Sequence, residues 1–178
     1  METIKTQEQV NNKTKDVVYS GILISLVFIA TKFLNIRLPI SINGGLIHLG
    51  NTMLFIAAIV FGKKKGAVAG ALGMALFDIV SGWMIWAPGT FIVRGVMGYI
   101  VGSISWAKDR NGNHLGWNII AILVAGLWMI AGYYVTEGII YGNWIAPMTS
   151  IPGNIIQVVV GAIIGLPLAA ALKKTKII

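Results

Sequence analysis

The chain has 178 residues, of which 56% are hydrophobic and 11% charged, with 22 glycines, no cysteine and a formal charge of +8. Together with a mean hydropathy of +0.79, this excludes an ordinary soluble domain, and the missing thiols exclude a disulfide framework and thiolate metal sites. The composition predicts a single integral membrane domain over residues 1–178, with His48 and His114 as its sole imidazoles and no metal or cofactor. A helix needs about 20 residues to cross the hydrocarbon core, so there is room for about six crossings.

The first apolar run follows Lys13 and Lys15 and continues to about Ile36 without a small-x-small cleavage pattern. It therefore reads as a retained helix at 17–36 behind a cytoplasmic N-terminal segment, 1–16. Further apolar segments at about 46–61, 66–82, 90–107, 117–141 and 153–172 complete an all-α, six-transmembrane-helix bundle. The links carry turn residues, among them Pro39 with Gly44 and Gly45, Gly62, Pro88, Gly116, and Pro147 with Pro152.

Lysine and arginine orient this bundle. The run Lys63, Lys64 and Lys65, with Lys108, Arg110, Lys173 and Lys174, falls on the side of the termini, whereas the three opposite links hold only Arg37. Short cytoplasmic loops are enriched in basic residues, so both termini are expected to be cytoplasmic. The positive charge is then an orientation signal. No array of bases with aromatic or helical readers points to nucleic acid.

With direction fixed, depth follows from position. His48 and Asn51 open the inward helix two, and Asp78 lies about one turn before the outer end of helix three. Thr90 and Arg94 begin helix four, Glu137 closes helix five, and Asn154 and Gln157 open helix six. The last two pairs are three or four residues apart, so each shares one helix face. All the strongly polar intramembrane groups thus fall in the outer third. A charge at the bilayer centre costs about 3 kcal/mol on insertion scales, so such groups face a partner or a wet cavity. Asp78 or Glu137 paired with Arg94 as helix glue uses two of them; an outward-open pocket uses the whole set.

Aromatic residues gather at the same depth, with Trp83 and Trp86 after helix three and Tyr133, Tyr134, Tyr141 and Trp144 around the end of helix five. Interfacial anchoring accounts for each of them singly. Trp86 and Trp144 lie in links where they could also stack on a flat ring. Small residues four apart, Gly21 with Ser25, Gly66 with Gly70, Gly98 with Gly102, and Gly161 with Gly165, suit close helix packing. The first pair could equally receive a partner protein. No G-x-x-x-x-G-K-[ST] loop is present, so the chain does not hydrolyse ATP. Neither an inverted repeat nor a polar line through the membrane suggests a self-sufficient carrier.

Several runs carry a resemblance: Gly44 to Asn51 (GGLIHLGN), Phe61 to Gly70 (FGKKKGAVAG), Phe77 to Gly82 (FDIVSG) with Trp86-Ala87-Pro88 and Thr90, and Ile151 to Gln157 (IPGNIIQ). In this order, over nearly the whole chain, they resemble the substrate-binding S components of energy-coupling factor (ECF) vitamin transporters. The likeness is to the branch holding riboflavin-type S components and relatives assigned to pantothenate, hydroxymethylpyrimidine and pyridoxine. Asn51 stands where that branch often has Asp, and Gly21 and Ser25 stand where the family commonly shows Ala-x-x-x-Ala.

The resemblance implies a multi-pass protein of a prokaryotic plasma membrane that captures a vitamin from outside beneath a lid formed by the first outer link. It also implies docking through helix one onto a transmembrane coupling subunit (EcfT) driven by two cytoplasmic ATPases (EcfA and EcfA′), with toppling of the subunit carrying the ligand inward. The substrate-site candidates are then His48, Asn51, Asp78, Trp86 and Thr90, together with Arg94, Glu137, Asn154 and Gln157; the partner-site candidates are Gly21 and Ser25. A heteroaromatic alcohol such as hydroxymethylpyrimidine or pyridoxine suits paired donors, acceptors and tryptophan; pantothenate would lean on Arg94. Two other readings stay open: a structural subunit with the polar set as helix glue, and an intramembrane hydrolase using His48 with Asp78 or Ser81, which lacks a G-x-S-x-G motif.

Overall fold

The structure, a computed structural model, describes residues 2–37 and 46–175, with side chains from residue 13 onward. Helix α1 (Glu2–Phe33) stops where Asn35 folds back, its amide donating to the carbonyls of Thr31 (3.1 Å) and Lys32 (2.6 Å). These are among the last-turn carbonyls that a helix leaves unsatisfied. The chain then forms a short antiparallel hairpin of β1 (Asn35–Arg37) and β2 (Leu46–His48), with Ile36 opposite Ile47. Helix two therefore begins at Gly50 rather than 46. Its first residues have ladder partners in 35–37, and the Gly50 N–H turns to His48 Nδ1 (3.2 Å). The expected all-α bundle is helical with this one hairpin added. The lid expected from the first outer link lies mostly at 38–45, outside the described residues.

Helix α2 (Gly50–Phe61) has 12 residues, ten of them buried. At 1.5 Å per residue it spans about 18 Å, too short for the hydrocarbon core. Being apolar on every side, it becomes the central rod of the bundle. A single residue, Gly62 (φ +85°), joins it to α3 (Lys63–Val80), a conformation that a side chain would strain. Then follow α4 (Ala87–Trp106), α5 (Leu115–Tyr141) and α6 (Ile151–Lys174), the last preceded by a 3₁₀ turn at Ala146–Ser150. Among the described residues four segments are long and apolar enough to cross a membrane: Lys13–Phe33, Ala87–Asp109, Leu115–Tyr141 and Ala146–Lys174. His114 is the N-cap of α5, its Nδ1 accepting from the Trp117 N–H (3.4 Å).

Glycine sets the helix spacing. A Cβ on Gly70 would lie 2.8 Å from the Arg94 carbonyl, and one on Gly66 3.0 Å from the Gly98 carbonyl, so α3 and α4 touch backbone to backbone. On the other side of α2, a Cβ on Gly161 would lie 2.8 Å from Asn51 Cβ, and one on Gly165 3.3 Å from the Thr52 carbonyl. Three of the four expected small-residue pairs are thus internal seams. Gly21 differs: nothing lies within 4 Å of where its Cβ would be, and Ser25 Oγ merely donates to the Gly21 carbonyl (2.9 Å) on an exposed face.

Candidate functional site

The helix directions bring the ends of α1, α3 and α5 and the beginnings of α2, α4 and α6 to one end of the bundle, with β2 beside them. There they surround a cavity with about 720 Å³ of unfilled space, counting its open mouth. Most of the basic residues lie at the opposite end, where Lys65 pairs with Asp16 (2.6 Å) and Lys173 donates to the Asn111 carbonyl; Lys32, in the last turn of α1, is at the cavity end and donates to Ser81 Oγ (3.0 Å).

Arg94 forms one wall, 2% exposed. Its Nη1 donates to Asn51 Oδ1 and faces the sulfurs of Met97 and Met129, its Nη2 donates to Gln157 Oε1 (3.3 Å), and its Nε donates to the Tyr133 hydroxyl (3.0 Å). The guanidinium carbon is also 4.9 Å from the centre of the Tyr133 ring. These partners are neutral, so the guanidinium is held in place without its charge being cancelled at contact distance. Tyr133 passes the chain onward, donating to Thr90 Oγ1 (3.2 Å), which is hydrogen-bonded to Asp78. Gln157 links it to the hairpin as well, its Nε2 donating to the Leu46 carbonyl (2.6 Å).

Asp78 and Glu137 bring carboxylates to the same cavity, 8% and 2% exposed. Glu137 accepts from the Ser150 hydroxyl (2.7 Å). Asp78 Oδ2 is buried with no hydrogen-bond partner. A buried carboxylate oxygen left without a donor costs free energy, and a ligand N–H or O–H would remove that cost. Two carboxylates against one guanidinium leave the lining with a formal excess of one negative charge, His48 being counted as neutral.

Of the residues expected from sequence, His48, Asp78, Thr90, Arg94, Glu137 and Gln157 line the cavity, as do the half-buried Trp86 and Asn154. The Trp86 ring stands edge-on to Tyr141, with centroids 6.0 Å apart. Asn51 is the one that does not reach the lining; it is wholly buried behind Arg94 and fixes it. Gly21 and Ser25 are on the outer face of α1, away from this set.

The site candidates read from sequence omit Thr31, Leu46, Met74, Phe77, Trp83, Tyr133, Ser150 and Gly153, which also line the cavity. Two of these had a legible signal: Tyr133 is one turn before Glu137, and Met74 one turn before Asp78, so each pair shares a helix face. Thr31 had none, because α1 gave no reason to turn a residue inward at that point.

A family model described as "ECF-type riboflavin transporter, S component" matches residues 11–174. A protein of Pyrococcus woesei called "Uncharacterized protein in gap 3'region" is 33% identical over 139 residues, 78% of this chain and 90% of that protein. The "Thiamine precursor transporter HmpT" of Lactococcus lactis subsp. cremoris (strain MG1363) is 25% identical over 168 residues, 94% of this chain and 93% of that protein. A solved structure described as the S component of a bacterial ECF transporter shares the fold, with a TM-score of 0.72 at 19% identity, over 92% of this chain and 98% of that one.

Proposed function

The chain belongs to the ECF-type riboflavin transporter S-component family, the substrate-binding subunits of vitamin transporters, and on that premise we propose that its cargo is a hydroxymethylpyrimidine-type thiamine precursor. The observation that carries this is the unpartnered Oδ2 of Asp78 in a lining with one negative charge in excess. Such a lining wants hydrogen-bond donors. An aminopyrimidine with a hydroxymethyl arm offers N–H and O–H groups around a flat ring, and Trp83, Trp86 and Phe77 supply apolar walls for that ring. The likeness to a thiamine precursor transporter of L. lactis points the same way. Pantothenate fits less well, because its carboxylate would meet Asp78 and Glu137 and has a single guanidinium, Arg94, to set against them.

In this reading the cavity opens to the outside and the lysine-rich end faces the cytoplasm, as the bias of basic residues favours. Uptake is driven by a coupling subunit and its two ATPases, with the exposed α1 face at Gly21 and Ser25 receiving the coupling subunit. Titration of the detergent-purified chain with hydroxymethylpyrimidine, pyridoxine, pantothenate and riboflavin tests the assignment. Submicromolar binding of hydroxymethylpyrimidine above the other three is the expected result; tighter binding of pantothenate or riboflavin would overturn it.

A further inference from the structure

At the end of the bundle away from the vitamin site is a second crevice. It is framed by Asp16 of α1, the Gly62 link, the first turn of α3 with Lys63 and Lys64, and Ser103 and Trp106 at the end of α4. Three features there ask for an anion.

The first turn of α3 carries Lys63, Lys64 and Lys65, and neither an acidic residue nor a side-chain cap. Lysines at a helix N-terminus oppose the dipole, whose positive end already lies there with unsatisfied N–H groups. The earliest of these amides with an intrahelical acceptor is that of Gly66, which donates to the Gly62 carbonyl (3.0 Å). Asp16 answers Lys65 alone (2.6 Å); among the described residues Lys63 and Lys64 form no ion pair, and Lys63 rests over the Tyr99 ring at 5.4 Å. Independently, the Ser103 hydroxyl on the facing helix is a buried oxygen without a hydrogen-bond partner. Clustered cations, free helix amides and an idle hydroxyl donor in one concavity compose an anion cradle.

The location selects the anion. The crevice is between the inner ends of two helices of membrane-crossing length, and the half-exposed Tyr19 and Tyr99 flank it on the lipid-facing side. We infer that this crevice binds the phosphate of an anionic phospholipid of the cytoplasmic leaflet, with Lys63, Lys64 and the first-turn amides of α3 on the phosphate and Ser103 donating from α4. The site goes beyond vitamin capture and stands on separate residues.

The test is native mass spectrometry of the detergent-purified chain with equal amounts of short-chain phosphatidylglycerol and phosphatidylcholine. The intact protein is expected to retain one phosphatidylglycerol in preference. Lys63→Gln with Lys64→Gln should lower that occupancy roughly tenfold, and Ser103→Ala by a smaller factor. Lys108→Gln with Lys174→Gln, at the same end but outside the crevice, should leave it unchanged. Equal retention of the two lipids, an equal loss in the Lys108/Lys174 control, or displacement by inorganic phosphate as readily as by soluble phosphatidylglycerol would each overturn the lipid assignment. So would protection of Lys63 and Lys64 from acetylation only when a coupling subunit is bound, which would give the surface to a protein. Vitamin binding at the far end reports folding of each variant; should the double variant not fold, Lys64→Gln and Ser103→Ala carry the test.

Discussion

The guanidinium of Arg94 donates to the side-chain oxygen of Asn51, so a buried cation is fixed by an amide at the start of α2. Asn51→Ala removes that acceptor and leaves a donor without a partner in an apolar setting, at a cost of about 1–3 kcal/mol. A lower thermal unfolding midpoint in detergent is expected for Asn51→Ala. Asn51→Asp keeps an acceptor and is expected to hold or raise it.

Asp78→Asn separates ligand contact from helix glue. Because Oδ2 has no hydrogen-bond partner in the protein, losing its charge should leave stability unchanged or slightly improved. Ligand affinity should fall roughly 10- to 100-fold, the worth of a hydrogen bond to a charged group. Titration and thermal melts on one preparation decide; a melt that drops with affinity would make Asp78 a structural residue.

Gln157 has two hydrogen bonds to distribute, one from Arg94 and one to the Leu46 carbonyl. Gln157→Leu keeps volume and releases both. Faster amide exchange at Leu46, Ile47 and His48 is expected, with a ligand dissociation rate raised about tenfold for the loss of some 1.4 kcal/mol of holding energy. Hydrogen-exchange mass spectrometry with stopped-flow release reads the two effects together.

Glycines of the same type should behave oppositely. Gly98→Ala drives a methyl into the backbone of Gly66 and should separate α3 from α4, costing several kcal/mol and the folded protein. Gly21→Ala meets open space and should gain about 1 kcal/mol of helix propensity. Replacing Gly21 and Ser25 together by Leu should abolish co-purification with a coupling subunit while vitamin binding survives; loss of both would indicate misfolding.

These contrasts mark what the sequence made legible. Hydropathy located most helix ends to within a few residues, because burial in lipid imposes the same requirement on each; α1 is the exception, beginning at Glu2 rather than 17, since its polar first turns carry no apolar signal. Hydropathy and lysine placement also brought His48, Asp78, Thr90, Arg94, Glu137 and Gln157 to one depth, since depth is a matter of counting along helices. Leu46–His48 were mistaken for helix because a three-residue apolar run fits either period, and only the partner strand at 35–37 decides. Asn51 was placed with the ligand contacts because counting gives depth and says nothing of what stands in front; Arg94 does. The same blindness hid Thr31, whose inward turn depends on how α1 leans on α3.

The twelve-residue rod α2 has a consequence for biogenesis. Joined to α3 by one glycine and too short to cross alone, it has to enter the membrane as half of a hairpin rather than as a free segment. Its covering wall is α6, which follows it by some ninety residues in the chain and is seated against Asn51, Thr52 and Phe55 through Gly161 and Gly165. Until that helix arrives, Asn51 and Thr52 at the start of α2 lack their covering wall. Chains cut short before Ile151 should therefore be recognised by membrane quality control, and the vitamin cavity comes into being only once α6 has packed.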